Sequence, residues 1–277
     1  MKTVEEVIFV GGSMRSGTTL VQRLLSAAPG ASPMSAECQY MTALVGLYET
    51  WRSRYDQFLG DFFPDADSFE AFSKNLVDQF VDVIRSRLPA ASTLVLKNPE
   101  LTYDFPLLSR WYTQAKFVVM MRDPRDTIAS MMAVARGHRV AKTPSMLANM
   151  ADNVERLADV YKSYYTAVIA AYPQFGSRLA FVRYEDLVAA PDRVLAELGR
   201  FTGLTLNIET LRSVPDNERE FWDRRQESRY SKAFDSPLWT AALSPSAIGR
   251  YAERLSPAQI RKIESSCADV GRQFGYW

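Results

Sequence analysis

The chain has 277 residues, 47% hydrophobic and 23% charged, and its 33 Lys and Arg against 32 Asp and Glu leave a formal net charge of +1. That length supports one large buried core, and the near-zero charge excludes a global field for nucleic acid or anionic membrane, so any anionic ligand must be held by locally placed cations. No stretch approaches the ~18 to 20 uninterrupted apolar residues of a membrane span, and Cys38 and Cys267 match neither a disulfide framework nor a metal-ligand spacing.

Met1 to Glu6 lead at once into the apolar run Val7 to Val10, which predicts a first strand and leaves no room for a signal peptide, so a reducing cytoplasm is the expected location. The strand feeds Gly12-Ser-Met-Arg-Ser-Gly-Thr-Thr19. A glycine-containing turn followed by the positive end of a helix is a ready anion site. The nucleotide-hydrolase loop wants Gly-x-x-x-x-Gly-Lys-[Ser/Thr]; here Gly12 and Gly17 have that spacing, Thr18 stands at the lysine position, and Arg15 supplies the charge from inside the loop. Ser16, Thr18 and Thr19 add hydroxyl donors.

Leu20, Val21, Leu24, Leu25 and Ala28 then share one helical face, stopped by Pro29-Gly30. A second helical stripe runs from Phe69 to Ile84 and ends at Leu88-Pro89. Further short apolar runs at Thr93 to Leu96, Lys116 to Met121 and Leu179 to Val182 alternate with helical segments, the sign of a parallel sheet covered by helices. The expected fold is therefore α/β: one domain over residues 1–277, a central parallel sheet flanked by helices. Apolar residues stepping by three and four from Leu147 to Val168 predict a long helix opened by Thr143-Pro144. The stretch from Ser213 to Ser246 lacks periodicity and reads as a long functional loop. Ser256-Pro-Ala-Gln259 is a capping box opening a closing helix with Ile260, Ile263, Cys267, Val270 and Phe274 as its stripe.

The third strand ends in Arg122-Asp-Pro-Arg-Asp-Thr-Ile-Ala-Ser130. Open parallel sheets bind ligands beyond the carboxyl ends of their strands, so Arg122 belongs beside the first loop if the two strands are neighbours. Asp126 is a candidate helix cap, and Ser130 lies about one turn further in, able to join Arg122 on a phosphate. A salt-bridged strand end, Arg122 with Asp123 and Arg125 with Asp126, is the plainer alternative.

Together the two segments resemble the sulfotransferase family, in which Arg-Ser-Gly-Thr-Thr holds the 5′-phosphosulfate of 3′-phosphoadenosine-5′-phosphosulfate (PAPS) and Arg-Asp-Pro-Arg-Asp-x-x-x-Ser holds its 3′-phosphate. Lys97-Asn-Pro99, Tyr184-Glu-Asp-Leu187, Gly249-Arg250 and Phe274-Gly-Tyr276 extend the likeness over nearly the whole chain. The resemblance is to the branch containing tyrosylprotein sulfotransferases and implies the P-loop-like fold. It makes Glu37 the general base and Lys97 the residue assisting departure, and no other carboxylate lies between the loop and Tyr40. Arg15 and Lys97 are then expected at the sulfuryl group, with Ser16, Gly17, Thr18 and Thr19 on the 5′-phosphate. Arg122, Ser130 and Tyr184 fall toward the 3′-phosphate or adenine, and Ser231 and Arg250 make closing contacts. The resemblance thus implies PAPS as the donor and 3′-phosphoadenosine-5′-phosphate (PAP) as the product, with no metal expected, because cations can meet the developing charge.

The family's basic residue four positions after the motif serine is Val134 here, with Arg136 or Arg139 as substitutes. His138, the single histidine, falls in a polar turn and reads as a surface or donor-adjacent residue rather than a base. Tyr40, Tyr48, Trp51, Tyr55, Phe58, Phe62 and Phe63 either line an acceptor pocket or pack helices. The acceptor is a hydroxyl on a small molecule, a lipid, a sugar or a protein tyrosine, with no nucleic-acid partner. The alternatives are a P-loop kinase or NTPase, disfavoured by the absent lysine and absent acidic pair for Mg²⁺, and a non-catalytic nucleotide binder.

Overall fold

The computed structural model describes residues 6–142, 147–209 and 245–277. Its sheet contains β1 (Glu6–Gly12), β2 (Thr93–Lys97), β3 (Lys116–Met121) and β4 (Leu179–Arg183), all parallel, in the order β2-β1-β3-β4. Every strand lies where its apolar run predicts: β3 matches its run, β2 and β4 gain one residue at the carboxyl end, and β1 gains one residue before its run and two after it. Val7 and Phe9 face one side while Ile8 and Val10 face the other, and Leu94, Leu96, Phe117, Val119 and Met121 join the first set. Strand side chains alternate, so one buried sheet serves two cores.

The core on the Ile8 face packs α1 (Thr18–Ser26) through Leu20, Val21, Leu24 and Leu25. The opposite core takes α2 (Gln39–Arg52), the short α3 (Tyr55–Phe58), α4 (Ala66–Arg87), α5 (Phe105–Trp111), α6 (Pro124–Val140) and α7 (Val154–Ala170). After the short α8 (Tyr172–Phe175) and β4, α9 (Tyr184–Ala189) and α10 (Pro191–Thr202) return to the first face. No described helix is long and apolar enough to cross a membrane.

Several local expectations need correction. Leu147–Met150 is a 3₁₀ turn, and α7 begins only at Val154, because Asn153 accepts a hydrogen bond from the Arg156 amide and caps the helix there; Thr143 and Pro144 lie outside the described residues. The 256–259 capping box is present, but the closing segment is two helices, Pro257–Ser266 and Ala268–Gln273, broken at Cys267. Asp123, not Asp126, caps α6, its carboxylate accepting from the Arg125 amide.

The chain leaves β1, forms β2 on one side of it and then β3 on the other. That reversal opens a crevice at the carboxyl ends of β1 and β3, where open α/β sheets place their ligands.

Candidate anion and transfer site

Two glycines and one arginine in left-handed conformation shape the loop at the tip of β1. Gly12 has φ +122° and would drive a Cβ into the Met120 carbonyl oxygen at 2.4 Å; Gly17 has φ +104° and would meet the Tyr184 ring at 3.0 Å. Only glycine allows the loop to lie this close to the end of β3. Arg15, at φ +68°, is one of two described non-glycine residues with positive φ, a costly conformation that fits a functional turn. Ser16 closes the turn on the Ser13 carbonyl, through its amide at 3.1 Å and its hydroxyl at 2.6 Å. Thr18 and Thr19 open α1.

Side chains from distant elements set the base of this loop. The Gly12 amide donates to Thr102 Oγ1 at 2.6 Å, and that hydroxyl donates to the Pro99 carbonyl at 2.6 Å. Tyr165 accepts from the Ser13 amide at 3.1 Å and donates to the Met120 carbonyl at 3.0 Å, tying the tips of β1 and β3 together. Tyr161, one turn earlier on α7, donates to the Arg122 carbonyl at 2.8 Å. Thr102, Tyr161 and Tyr165 were not among the sequence-predicted site residues. Tyrosines at i and i+4 on an apolar stripe read as core, and they are core; the remaining signal was that a buried phenol needs a polar partner.

Arg122 comes to the first loop as the strand-neighbour argument requires: its Nη1 donates to the Arg15 carbonyl at 3.2 Å. Its guanidinium lies 4.7 Å from the centre of the Tyr184 ring, and its Nη2 donates to the Ala247 carbonyl at 2.6 Å. Arg15 Nε donates to Ser130 Oγ at 3.1 Å, so Ser130 joins the site through Arg15. Neither guanidinium is ion-paired with a carboxylate among the described residues, and Arg122 Nε is buried without a hydrogen-bond partner. Burial first, and then the charge of Arg122, push the Arg15 guanidinium down to about 10. Two cations held together with no counter-carboxylate among the described residues form a site that an anion would satisfy.

The plainer salt-bridge pairing is not what the strand end adopts. Arg125, not Arg122, pairs with Asp123 at 2.7 Å, reaches Glu264 at 2.8 Å and lies against the Tyr251 and Trp277 rings. Asp126 pairs with no arginine among the described residues; it accepts from the Gly249 and Tyr251 amides at 2.7 and 2.9 Å. Glu185 accepts from the Asp123 amide at 2.9 Å, and burial pushes both the Asp126 and Glu185 carboxyls up despite these amides.

Beside the loop, Lys97 ends β2 with a side chain only 2% exposed, and its ammonium meets Glu37 Oε1 at 2.7 Å and Thr19 Oγ1 at 3.4 Å. The Lys97 carbonyl accepts from the Cys38 amide at 2.9 Å, which holds the Glu37 segment against the strand end. Glu37 stays 30% exposed, so a solvent-side molecule can reach its carboxylate. Cys38 is buried, and burial raises its thiol to about 11, a passive thiol.

Other expected residues fall elsewhere. His138 is buried within α6 rather than in a polar turn. Arg136 and Arg139 both bind Asp152, at 3.2 and 2.6 Å, on the surface. Arg250 is half exposed with Glu253 at 3.9 Å, and Ser231 lies outside the described residues. Of the aromatic set, Tyr48 is buried with its hydroxyl on Glu70, and Trp51, Tyr55 and Phe63 pack against the core. Tyr40, Phe58 and Phe62 remain exposed.

The model of the sulfotransferase family matches residues 7–207, which contain the loop, Glu37, Lys97 and the Arg122 motif. The chain belongs to the sulfotransferase family. A Caenorhabditis briggsae protein provisionally named a protein-tyrosine sulfotransferase is 24% identical over 232 residues, 80% of this chain and 76% of that protein. Protein-tyrosine sulfotransferase 1 of Danio rerio is 25% identical over 202 residues, and the chain matches 54% of its length. Among solved structures, the sulfotransferase domain from the curacin biosynthetic pathway superposes with a TM-score of 0.57 at 19% identity, covering 95% of this chain and 96% of the domain. A mouse sulfotransferase complexed with PAP superposes with a TM-score of 0.51 at 16% identity, covering 98% and 86%. These likenesses establish the P-loop-like sulfotransferase fold.

Proposed function

We propose that this sulfotransferase moves the sulfuryl group of PAPS to an acceptor hydroxyl, with Glu37 as general base. One observation carries the reading: the Arg15 and Arg122 guanidiniums converge on a single loop with no ion-paired carboxylate among the described residues, and Thr19 of that loop adjoins the Lys97–Glu37 pair. A bis-phosphorylated donor matches this layout, with one anionic end at the loop and the other beside Arg122. The PAP bound to the mouse relative supports the choice of donor.

When bound, the donor supplies an activated sulfuryl group. The loop amides, Ser16, Gly17, Thr18 and Thr19 hold the 5′-phosphate; Arg122, Ser130 and Tyr184 take the 3′-phosphate and adenosine side. Arg15 and Lys97 are fixed cations that meet charge on the transferring group and the departing oxygen. Glu37 removes the acceptor hydroxyl proton at its exposed edge, a general-base contribution of about 10² to 10⁴-fold. Lys97 holds that carboxylate in place until the acceptor enters. The names of the relatives make a tyrosine phenol the first acceptor to assay, followed by small-molecule, lipid and sugar hydroxyls. A cytoplasmic location remains part of the reading, to be tested by fractionation.

The experiment is thermal unfolding with PAP beside ATP and Mg²⁺. A ligand at a hundred times its Kd stabilises by about 2.7 kcal/mol, or roughly 5 to 10 °C for a chain of this size. PAP is expected to produce that shift. Stabilisation by ATP with Mg²⁺ alone would replace this reading with the kinase alternative, which the threonine at position 18 disfavours.

A further inference from the structure

Two residues four apart, Arg122 and Asp126, grip the same remote turn. Arg122 Nη2 donates to the Ala247 carbonyl at 2.6 Å, while Asp126 accepts from the amides of Gly249 at 2.7 Å and Tyr251 at 2.9 Å. Through its other terminal nitrogen Arg122 also holds the Arg15 carbonyl at 3.2 Å. The turn over residues 247–251 is therefore coupled to the phosphate loop through one guanidinium.

Asp126 is 3% exposed, in the first turn of α6, yet among the described residues its carboxylate serves neither as cap nor as ion-pair partner. Both oxygens are spent on main-chain amides more than 120 residues away. Charge-assisted bonds from a buried carboxylate are among the stronger polar contacts in a protein. Arg250 lies between the two gripped residues, so its position follows from theirs. Gly249 takes φ +76°, which lets the backbone turn both amides toward one side chain.

We propose that Asp126 is a positioning residue for the donor site: it docks the 247–251 turn beside Arg122 and acts without touching the donor. The inference rests on the reading of Arg15 and Arg122 as donor ligands. Without Asp126, the turn would keep the Arg122 bond to the Ala247 carbonyl and the Arg125 guanidinium against the Tyr251 ring, but both main-chain anchors at Gly249 and Tyr251 would be lost and the turn would loosen beside Arg122.

The test uses the full chain with Asp126→Ala, Asp126→Asn and Gly249→Ala. Three quantities are measured: PAP affinity by calorimetry, the donor KM and kcat separately, and the rate of tryptic cleavage after Arg250 by mass spectrometry. Asp126→Ala is expected to weaken PAP about 10- to 100-fold and raise donor KM in step, with kcat within a few-fold of the parent. Cleavage after Arg250 should accelerate about tenfold or more as the turn samples open states. Asp126→Asn keeps one acceptor oxygen and should fall between parent and alanine variant. A Cβ at Gly249 meets nothing within 4 Å, so Gly249→Ala leaves the core intact and acts through φ alone, weakening PAP about 5- to 30-fold.

If Asp126→Ala fails to fold, Asp126→Asn and Gly249→Ala decide. Parental PAP affinity in the variants, or weakened affinity with unchanged cleavage after Arg250, overturns the proposal. If the parent protein itself binds no PAP, the donor reading fails, and the cleavage rates still decide whether Asp126 holds the turn.

Discussion

Replacing Glu37 by glutamine tests the transfer chemistry most directly. Glutamine keeps the shape and one carbonyl oxygen within reach of the Lys97 ammonium, now 2.7 Å from the carboxylate, but it cannot take a proton. Lys97 is 2% exposed and its other hydrogen-bond partner among the described residues is Thr19 at 3.4 Å, so the change converts a charge-assisted contact to a buried cation into an ion–dipole one. Breaking a fully buried pair outright costs about 3 to 5 kcal/mol. With Glu37 30% exposed and the glutamine oxygen still accepting, roughly 1 to 2 kcal/mol is expected here, or about 2 to 6 °C in Tm. Turnover should fall about 10² to 10⁴-fold, equivalent to roughly 2.7 to 5.4 kcal/mol on the barrier, with PAP affinity held within about threefold. The assay is transfer of labelled sulfate at saturating donor and acceptor, paired with PAP calorimetry. Turnover within about threefold of the parent would remove Glu37 from the mechanism.

Tyr165→Phe should lower stability by about 1 to 3 kcal/mol and weaken PAP binding together, because the Ser13 amide and Met120 carbonyl lose their shared partner; denaturant unfolding and calorimetry report both, and unchanged PAP affinity would separate the phenol from the loop. Asp104→Asn should stabilise the protein, and only at higher pH. Burial first, and then the charge of Glu49, push the Asp104 carboxyl from 3.8 up to about 7. The folded state therefore favours its proton, and the stability this contributes is intact below pH 3.8 and lost as pH rises to about 7. The substitution should gain on the order of 2 kcal/mol above pH 7 and nothing below pH 4, read as Tm against pH; an equal gain at both ends would refute the burial argument.

What the sequence determined by itself is the part governed by near neighbours along the chain. The four strands follow from short apolar runs, and the anion loop from two glycines five apart with an arginine between them. The 256–259 capping box needed only its own four residues. Conformational preferences and hydrogen bonds within one turn set such features. The same locality misled at Leu147 to Val168, where an apolar stripe continued past a break that Asn153 imposes by capping α7. It also misled at His138, where polar neighbours concealed a buried helical position.

The tertiary structure decided which distant groups meet. Lys97 and Glu37 are 60 positions apart, Ser13 and Tyr165 are 152, and Asp126 and Gly249 are 123. Their contacts depend on strand order: β1 lies between β2 and β3, which brings Lys97, the glycine loop and Arg122 to one end of the sheet. Several strand orders fit the same alternating pattern, because a buried parallel strand carries apolar residues on both faces whichever strand lies beside it. The pairing of Arg125 rather than Arg122 with Asp123, which leaves Arg122 without an ion-paired carboxylate among the described residues, likewise emerged only once the chain had closed on itself.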